Sequence, residues 1–252
     1  MRSGSGLSST MRLAALELRL YLREPSAFFF TLIFPLLLML LFGSIWGNDP
    51  FPEQTFGYID YSTSAFIGIV ILTAGIMNLT ISIASYREKG ILRRFMAAPI
   101  SPLIFLAAEM MAILVVSIMG VVLLLAAGVI IFGMNFWGNA LEALAAFLLS
   151  CGAVAGLGFV PASLAPSARS GTVIANILYF PMLFLSGGAL PRDMLPDLLK
   201  KVSEAFPLTH AIRLMRGIWL GDHLADFPVE IAVLAGFVVA GGFFATRLFR
   251  WD

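Results

Sequence analysis

Long apolar runs and short polar interruptions alternate along the chain, and the runs occur six times. They cover 27–46, 61–85, 103–132, 140–164, 171–189 and 227–249, and each predicts a helix that crosses a bilayer. Twenty residues at ~1.5 Å each give ~30 Å, the thickness of one hydrocarbon core. Pro35 sits in mid-run and predicts a kink in the first span. The second span carries Thr73, Asn78, Thr80 and Ser82, which are expected to face other helices or an aqueous route rather than lipid. The third is long enough to project beyond the bilayer and holds Glu109. In the fourth, Gly152 and Gly156 lie four apart, a spacing that permits close helix approach. The fifth contains Asn176 and Pro181, and the sixth a ridge of Ala232, Gly236 and Ala240. The expected fold class is an all-α membrane protein with six transmembrane helices.

Two polar stretches have a helical period of their own. In residues 11–24, Leu13, Leu16 and Leu20 share a face while Arg12, Glu17, Arg19, Arg23 and Glu24 supply charge. That pattern predicts an amphipathic helix on the membrane surface, ending before Pro25; the alternative is a helical extension of the first span. In residues 190–226, Leu195, Leu198, Leu199, Val202 and Phe206 follow helical spacing, and so do Leu208, Ile212, Met215 and Trp219. Each segment is ~18 Å long, too short to cross, and Pro191, Pro207 and Gly221 bracket them. Two short helices dipping into or lying on one membrane face are expected. Residues 1–10 are Gly/Ser-rich and are expected to be a disordered leader before one transmembrane domain over 11–252.

Composition agrees with the pattern. The chain is 60% hydrophobic and 12% charged, about half the charge of a soluble domain. Its net charge of +1 and lack of a basic cluster among aromatics argue against a nucleic-acid partner. One cysteine, Cys151, excludes an intrachain disulfide, and His210 and His223 are too few for a His-rich metal site. Arg2, Arg12, Arg19, Arg23, Arg87, Lys89, Arg93, Arg94, Arg169, Arg247 and Arg250 all fall on the side of the termini, whereas the two short loops opposite carry no basic residue. The positive-inside rule then puts both termini in the cytoplasm, and the expected location is a bacterial-type inner membrane. Segment 190–226 would lie outside, its five basic residues balanced by five acidic ones.

Reactive motifs are lacking. There is no Gly-Lys-Ser/Thr of a phosphate-binding loop, no G-x-S-x-G and no H-E-x-x-H. Ser186–Gly187–Gly188 with His210 has no activating context, and no catalytic residue is assigned. Glu109 is a functional candidate as an intramembrane carboxylate; the alternative is an ion pair with Arg87 or Arg93. Asn78 and Asn176 are either inter-helix hydrogen-bonders or part of a substrate path.

Between the second and third spans lies S-Y-R-E-K-G-I-L-R-R-F-M-A-A-P-I-S-P, residues 85–102. A polybasic turn touching anionic lipid would explain its charge, but Glu88 weakens that reading. Ile91, Leu92 and Phe95 offer an apolar face for a partner's groove, and Gly90 allows a sharp bend.

R-E-K-G-I-L-R-R-F-M-A-A-P-I-S-P closely resembles the R-E-x-G-T-L-x-x-L-x-x-x-P-x-S pattern of ABC-2 type transporter permeases. F-L-S-G-G-A-L-P-R-D-M-L-P and F-P-L-T-H-A-I-R-L-M-R-G, residues 184–196 and 206–217, resemble the family's sequence between spans five and six. Ile91 replaces the usual Thr and Phe206 the usual Asn. The resemblance implies an amphipathic N-terminal helix, a cytoplasmic coupling helix and two re-entrant helices outside. It also implies a pair of permease copies, here expected to be a homodimer, working with two copies of an ATP-binding cassette ATPase that hold ATP and magnesium. Arg87, Glu88, Gly90, Leu92 and Arg93 would belong to the coupling region. Asn78, Asn176 and Glu109 are the substrate-path candidates, with spans one and five lining the path. Re-entrant helices over 192–206 and 208–220, with Pro191, Pro207 and His210, would narrow the outer exit. The expected role is export of an amphiphilic drug, lipid or lipid-linked glycan, by a non-enzymatic subunit in contact with membrane lipid. A stand-alone channel or ion-coupled carrier is the alternative; it predicts several buried charges along the spans.

Overall fold

A computed structural model describes residues 4–52, 54–92, 102–189 and 192–248. These form helices, with no strand among the described residues. We number the helices α1 (Gly4–Arg23), α2 (Pro25–Trp46), α3 (Tyr58–Glu88), α4 (Pro102–Phe132), α5 (Ala140–Leu164), α6 (Ala168–Leu185), α7 (Asp197–Ser203), α8 (Pro207–Trp219) and α9 (Pro228–Leu248). Helices α2 to α6 and α9 are long and apolar enough to cross a membrane. The fourth span matches its expected bounds, and the others differ by three residues or fewer at most ends.

Span α3 is the hub. It is the most buried of the six spans and packs against α2, α4, α5, α6 and α8. The approach of α3 to α5 is set by glycine. A side chain at Gly158 would run into the backbone carbonyl of Gly75, and one at Gly75 would crowd the backbone of Ala155. Gly152 and Gly156 do the same toward α9, meeting Val238, Phe237 and Gly241. The predicted ridge on α9 is not the one used. Ala232, Gly236 and Ala240 face outward, and a side chain at Gly236 would meet nothing within 4 Å. Helical period alone does not say which small-residue stripe finds a partner; here Gly241 does, because it lies opposite Gly156.

Both first spans contain a π-helical turn, at Phe29–Ile33 and at Thr73–Asn78. The first precedes Pro35, whose missing N–H and ring disturb the turn that holds Thr31. The expected disturbance at Pro35 thus takes the form of a widened turn. Thr31 and Asn78, one from each π turn, hydrogen-bond at 2.8 Å.

Helix α1 is separate from the first span. Glu24 is extended (φ −91°, ψ 106°) before Pro25 opens α2. Residues 4–10, expected in a disordered leader, continue α1 instead. Once the amphipathic segment is helical, each further residue adds a backbone hydrogen bond without a new nucleus.

At the end of the molecule where α2 meets α3, Asp60 organises the loops. Its carboxylate accepts from Gly57 N (3.1 Å), Asn48 Nδ2 (3.1 Å) and Asn135 N (2.9 Å), while Asn48 Oδ1 accepts from Asp60 N (3.0 Å). Asn135 O in turn accepts from Trp219 Nε1 at 3.1 Å, so α8 is tied to the same knot. Helix α8 is almost wholly buried and packs against α3, α5 and α9. Helix α7, by contrast, exposes Leu198, Leu199 and Val202 and follows a 3₁₀ turn at Arg192–Met194. The two short helices expected over 192–206 and 208–220 are therefore present, the first shorter than expected and the second embedded.

A valine at Gly158 is expected to lower stability by about 3 kcal/mol by forcing α3 and α5 apart, whereas Gly236→Val is expected to stay within about 0.5 kcal/mol of wild type. Thermal unfolding of the two purified variants in one detergent checks the contrast; equal losses would remove the glycine contact from its role.

Candidate functional site

The residues predicted to couple the chain to a partner begin at the end of α3. Arg87 and Glu88 close this helix and take up opposite tasks. Arg87 Nη1 donates to the carbonyls of Ala162 (3.0 Å) and Ala165, at the C-terminus of α5. Glu88 Oε2 accepts from Ala168 N (2.8 Å), the first residue of α6. Each charge matches the helix end it meets: the guanidinium sits where carbonyls are left over, the carboxylate where amides are. The loop between α5 and α6 is thereby held from both sides by two successive residues of α3.

Gly90 follows with φ +67°, and its N–H bonds back to the carbonyl of Arg87 at 3.0 Å. A Cβ there would have open space, so the requirement for glycine comes from the left-handed backbone and not from crowding. Leu92 is completely buried and packs in a small core with Leu79, Ile83, Phe105, Leu106 and Ile113. This corrects the expectation that Leu92 presents an apolar face to a partner. It fastens the turn that follows α3 to the bundle. Arg93 and Phe95 lie outside the described residues.

Of the substrate-path candidates, Asn78 and Glu109 line one cavity of about 460 Å³, and Asn176 is elsewhere. The cavity is lined by α1, the start of α2, the C-terminal half of α3, α4 and the start of α6. Asn78 Nδ2 donates to Thr31 Oγ1 and to the Tyr21 hydroxyl, and Tyr21 and Thr31 bond each other at 2.7 Å. The inter-helix role is thus realised for Asn78. The side-chain oxygen of Asn176 is buried without a hydrogen-bond partner.

Glu109 is 4% exposed, and its Oε1 has no hydrogen-bond partner. Of the two expected ion-pair partners, Arg87 is held by the carbonyls of α5 instead, and Arg93 lies outside the described residues. The close charged neighbour of Glu109 is Glu17 of α1, itself 7% exposed, whose carboxylate accepts from the Tyr86 hydroxyl. Burial pushes the Glu17 carboxyl above the usual carboxylate range, and the Tyr86 hydrogen bond offsets only part of this.

Sequence reasoning missed Glu17, Tyr21, Thr31 and Tyr86. It placed Glu17 on the wet face of an amphipathic helix. In fact Ala14 and Glu17 face inward, and Leu16 and Leu20 face outward. The signal was available as Thr10, Ala14, Glu17 and Tyr21, a second stripe at helical spacing, polar at three of its four positions.

At the far end, Pro207 opens α8 and is buried; Pro191 lies outside the described residues. His210 is buried, and its Nε2–H donates to the Glu204 carbonyl at 3.0 Å. The Ser186 hydroxyl bonds the Thr209 hydroxyl at 3.0 Å, and His210 turns to Glu204, so Ser186 and His210 do not pair. Phe206 supplies no side-chain cap; Thr209 Oγ1 ties the turn instead, donating to the Ser203 carbonyl at 2.6 Å. Glu204 pairs with Arg192 and with Arg213 (2.7 Å), and Arg213 reaches on to Glu230 of α9 at 2.8 Å. Burial opposes ionisation of Glu204, but hydrogen bonds and charge from Arg213 and Arg192 hold its carboxyl below the usual range.

Residues 9–220 match the family model described as ABC-2 type transporter. Nodulation protein J of Rhizobium leguminosarum bv. viciae is 35% identical over 118 residues, 47% of this chain and 46% of that protein. The transport permease ycf38 of Cyanophora paradoxa is 28% identical over 203 residues, 78% of this chain and 69% of that protein. The inner membrane transport permease YhhJ of Escherichia coli (strain K12) is 24% identical over 172 residues, 66% of this chain and 44% of that protein. The chain spans about half the length of the nodulation proteins it matches.

Two outcomes are expected from these contacts. Gly90→Ala destabilises by about 1 kcal/mol through its positive φ alone, measurable as a lower thermal midpoint. For Glu204, the depressed carboxyl contributes stability above its unfolded value of about 4.5 that is lost as pH falls. Melting curves between pH 6 and pH 3 should therefore fall less steeply for Glu204→Gln than for wild type, by under about 1 kcal/mol for so exposed a group.

Proposed function

The chain belongs to the ABC-2 type transporter family, and from that premise we propose that it is the membrane-spanning permease of an ATP-driven exporter. The observation that carries this reading is the double grip of Arg87 and Glu88. Whatever moves the segment after α3 moves the ends of α5 and α6 with it, since successive residues of one rigid helix hold both. A soluble motor docked on that segment would so displace three spans together. Spans α2 and α6, which flank α3 with exposed apolar faces, then suit the seam between two copies of the chain.

On this reading the motor is a separate ATP-binding cassette subunit, in two copies, and a pair of permeases, a homodimer, encloses the path. ATP and its magnesium ion belong to the motor; this sequence has no phosphate-binding loop of the Gly-Lys-Ser/Thr kind. The permease performs no chemical step. The charge census supports an inner membrane with both termini and the Arg87–Glu88 region in the cytoplasm. Pro207, His210 and α8 then stand at the outer end, where the ion-paired Glu204 and Arg213 fix the embedded helix beside the exit. The cargo class that suits an apolar bundle with short outer loops is amphiphilic: a drug, a lipid or a lipid-linked glycan. The names of two of its relatives, both transport permeases, agree with transport.

Co-purification of the tagged chain from the membranes of its source cells tests the assembly. A detergent-stable complex of two permeases with two ATPases is expected, and a chain that elutes alone would overturn the reading. Within the complex, Glu88→Arg is expected to leave assembly intact and to reduce export severalfold, because it places a cation at the N-terminus of α6. Unchanged export would remove Glu88 from the coupling role.

A further inference from the structure

Two carboxyl groups buried beside one cavity need an explanation. Glu17 and Glu109 approach from α1 and α4, and Tyr86 from α3 donates to Glu17. Among the described residues, no Lys, Arg or His lies within ion-pair range of either carboxyl group. Lys89 lines the same cavity but is exposed. The unpartnered oxygen of Glu109 belongs to a side chain that is 4% exposed and borders the void. A buried carboxyl group without a partner is costly, and beside a cavity it is stabilised by positive charge placed in that cavity.

The rest of the wall defines the group that would carry that charge. Phe30, Met77 and Ile113 supply apolar surface, and the volume of about 460 Å³ falls in the range of small-molecule sites. A hydrated metal ion would need several oxygen ligands in a compact shell, whereas no group of three or more His, Cys, Asp or Glu suited to a metal occurs among the described residues. An organic cation fits both halves: its charge meets Glu109 and Glu17, and its body meets the apolar wall. We propose that the cavity beneath α1 is a binding site for a lipophilic organic cation, with Glu109 as its charge partner. The site lies at the end of the molecule where α3 grips α5 and α6. It stands on the cavity itself and does not depend on the direction of transport or on an ATPase.

Equilibrium binding of radiolabelled tetraphenylphosphonium to the purified full chain in lipid nanodiscs tests this, with tetraphenylborate as an anion of the same shape. Saturable binding of one phosphonium per chain is expected, with no competition from the borate. Glu109→Gln is expected to weaken binding at least tenfold and Glu24→Gln, an exposed charge on the same cavity, less than threefold. Borate competing as well as phosphonium, or full affinity in Glu109→Gln, would overturn the proposal. Wild-type protein gives a second readout that needs no variant. Phosphonium at saturation should protect Glu109 from modification by dicyclohexylcarbodiimide, followed by peptide mass spectrometry. Undiminished labelling at saturation would mean that the carboxyl group holds a proton rather than a cation. Failure of these measurements would leave the transporter reading intact, because co-purification with the ATPase is scored separately.

Discussion

The architecture depends on two backbones being allowed to touch. Gly75 and Gly158 bring α3 and α5 together without a side chain between them. In hydrocarbon the hydrophobic effect gives helices no reason to associate, so close packing and polar contacts must supply it. Once α3 is drawn in against α5, its remaining faces are covered by α2, α4, α6 and α8. Its polar side chains then find partners on several different helices. Thr73 meets Tyr179 of α6 at 3.1 Å, Asn78 meets Thr31 of α2, and Tyr86 meets Glu17 of α1. One contact between glycines therefore decides where much of the buried polar chemistry of the protein can be satisfied.

Much of this was legible in the sequence, for a physical reason. A bilayer demands ~20 apolar residues in a row, and such a demand leaves few alternatives. The six spans, the independence of α1 behind Pro25 and the two short helices after α6 follow from length and breakers alone. Facing is harder to read. A span is apolar all round, so its pattern does not distinguish the side that meets a helix from the side that meets lipid. That is why Ala232, Gly236 and Ala240 were chosen on α9 when Gly241 makes the contact.

The same ambiguity explains the misplacement of Glu17. In water, an amphipathic helix turns its leucines inward. Beside a bilayer the preference reverses, and Leu16 and Leu20 can face out while Glu17 and Tyr21 face in. Leu92 failed in the opposite sense. It was read as an exposed apolar handle, although a fully buried leucine is what a short connector needs to stay attached to its bundle. Residue type singles out Arg87 and Glu88, but their contacts with α5 and α6 depend on tertiary placement that no local pattern encodes.

The paired π turns carry a consequence for the length of the chain. A π turn is a helix that holds one residue more than its rise requires. Spans α2 and α3 each store such a surplus, at Phe29–Ile33 and Thr73–Asn78, and the two stores are bonded to each other through Thr31 and Asn78. Removing a residue from a regular stretch of α3 would rotate everything beyond it by ~100° and carry Arg87 and Glu88 away from their helix ends. Removing one inside the π turn would let the helix close to its ordinary pitch and keep both ends in register. The molecule thus concentrates its tolerance of evolutionary shortening in two short turns, one near the start of α2 and one in the middle of α3, joined at the Tyr21 hydroxyl.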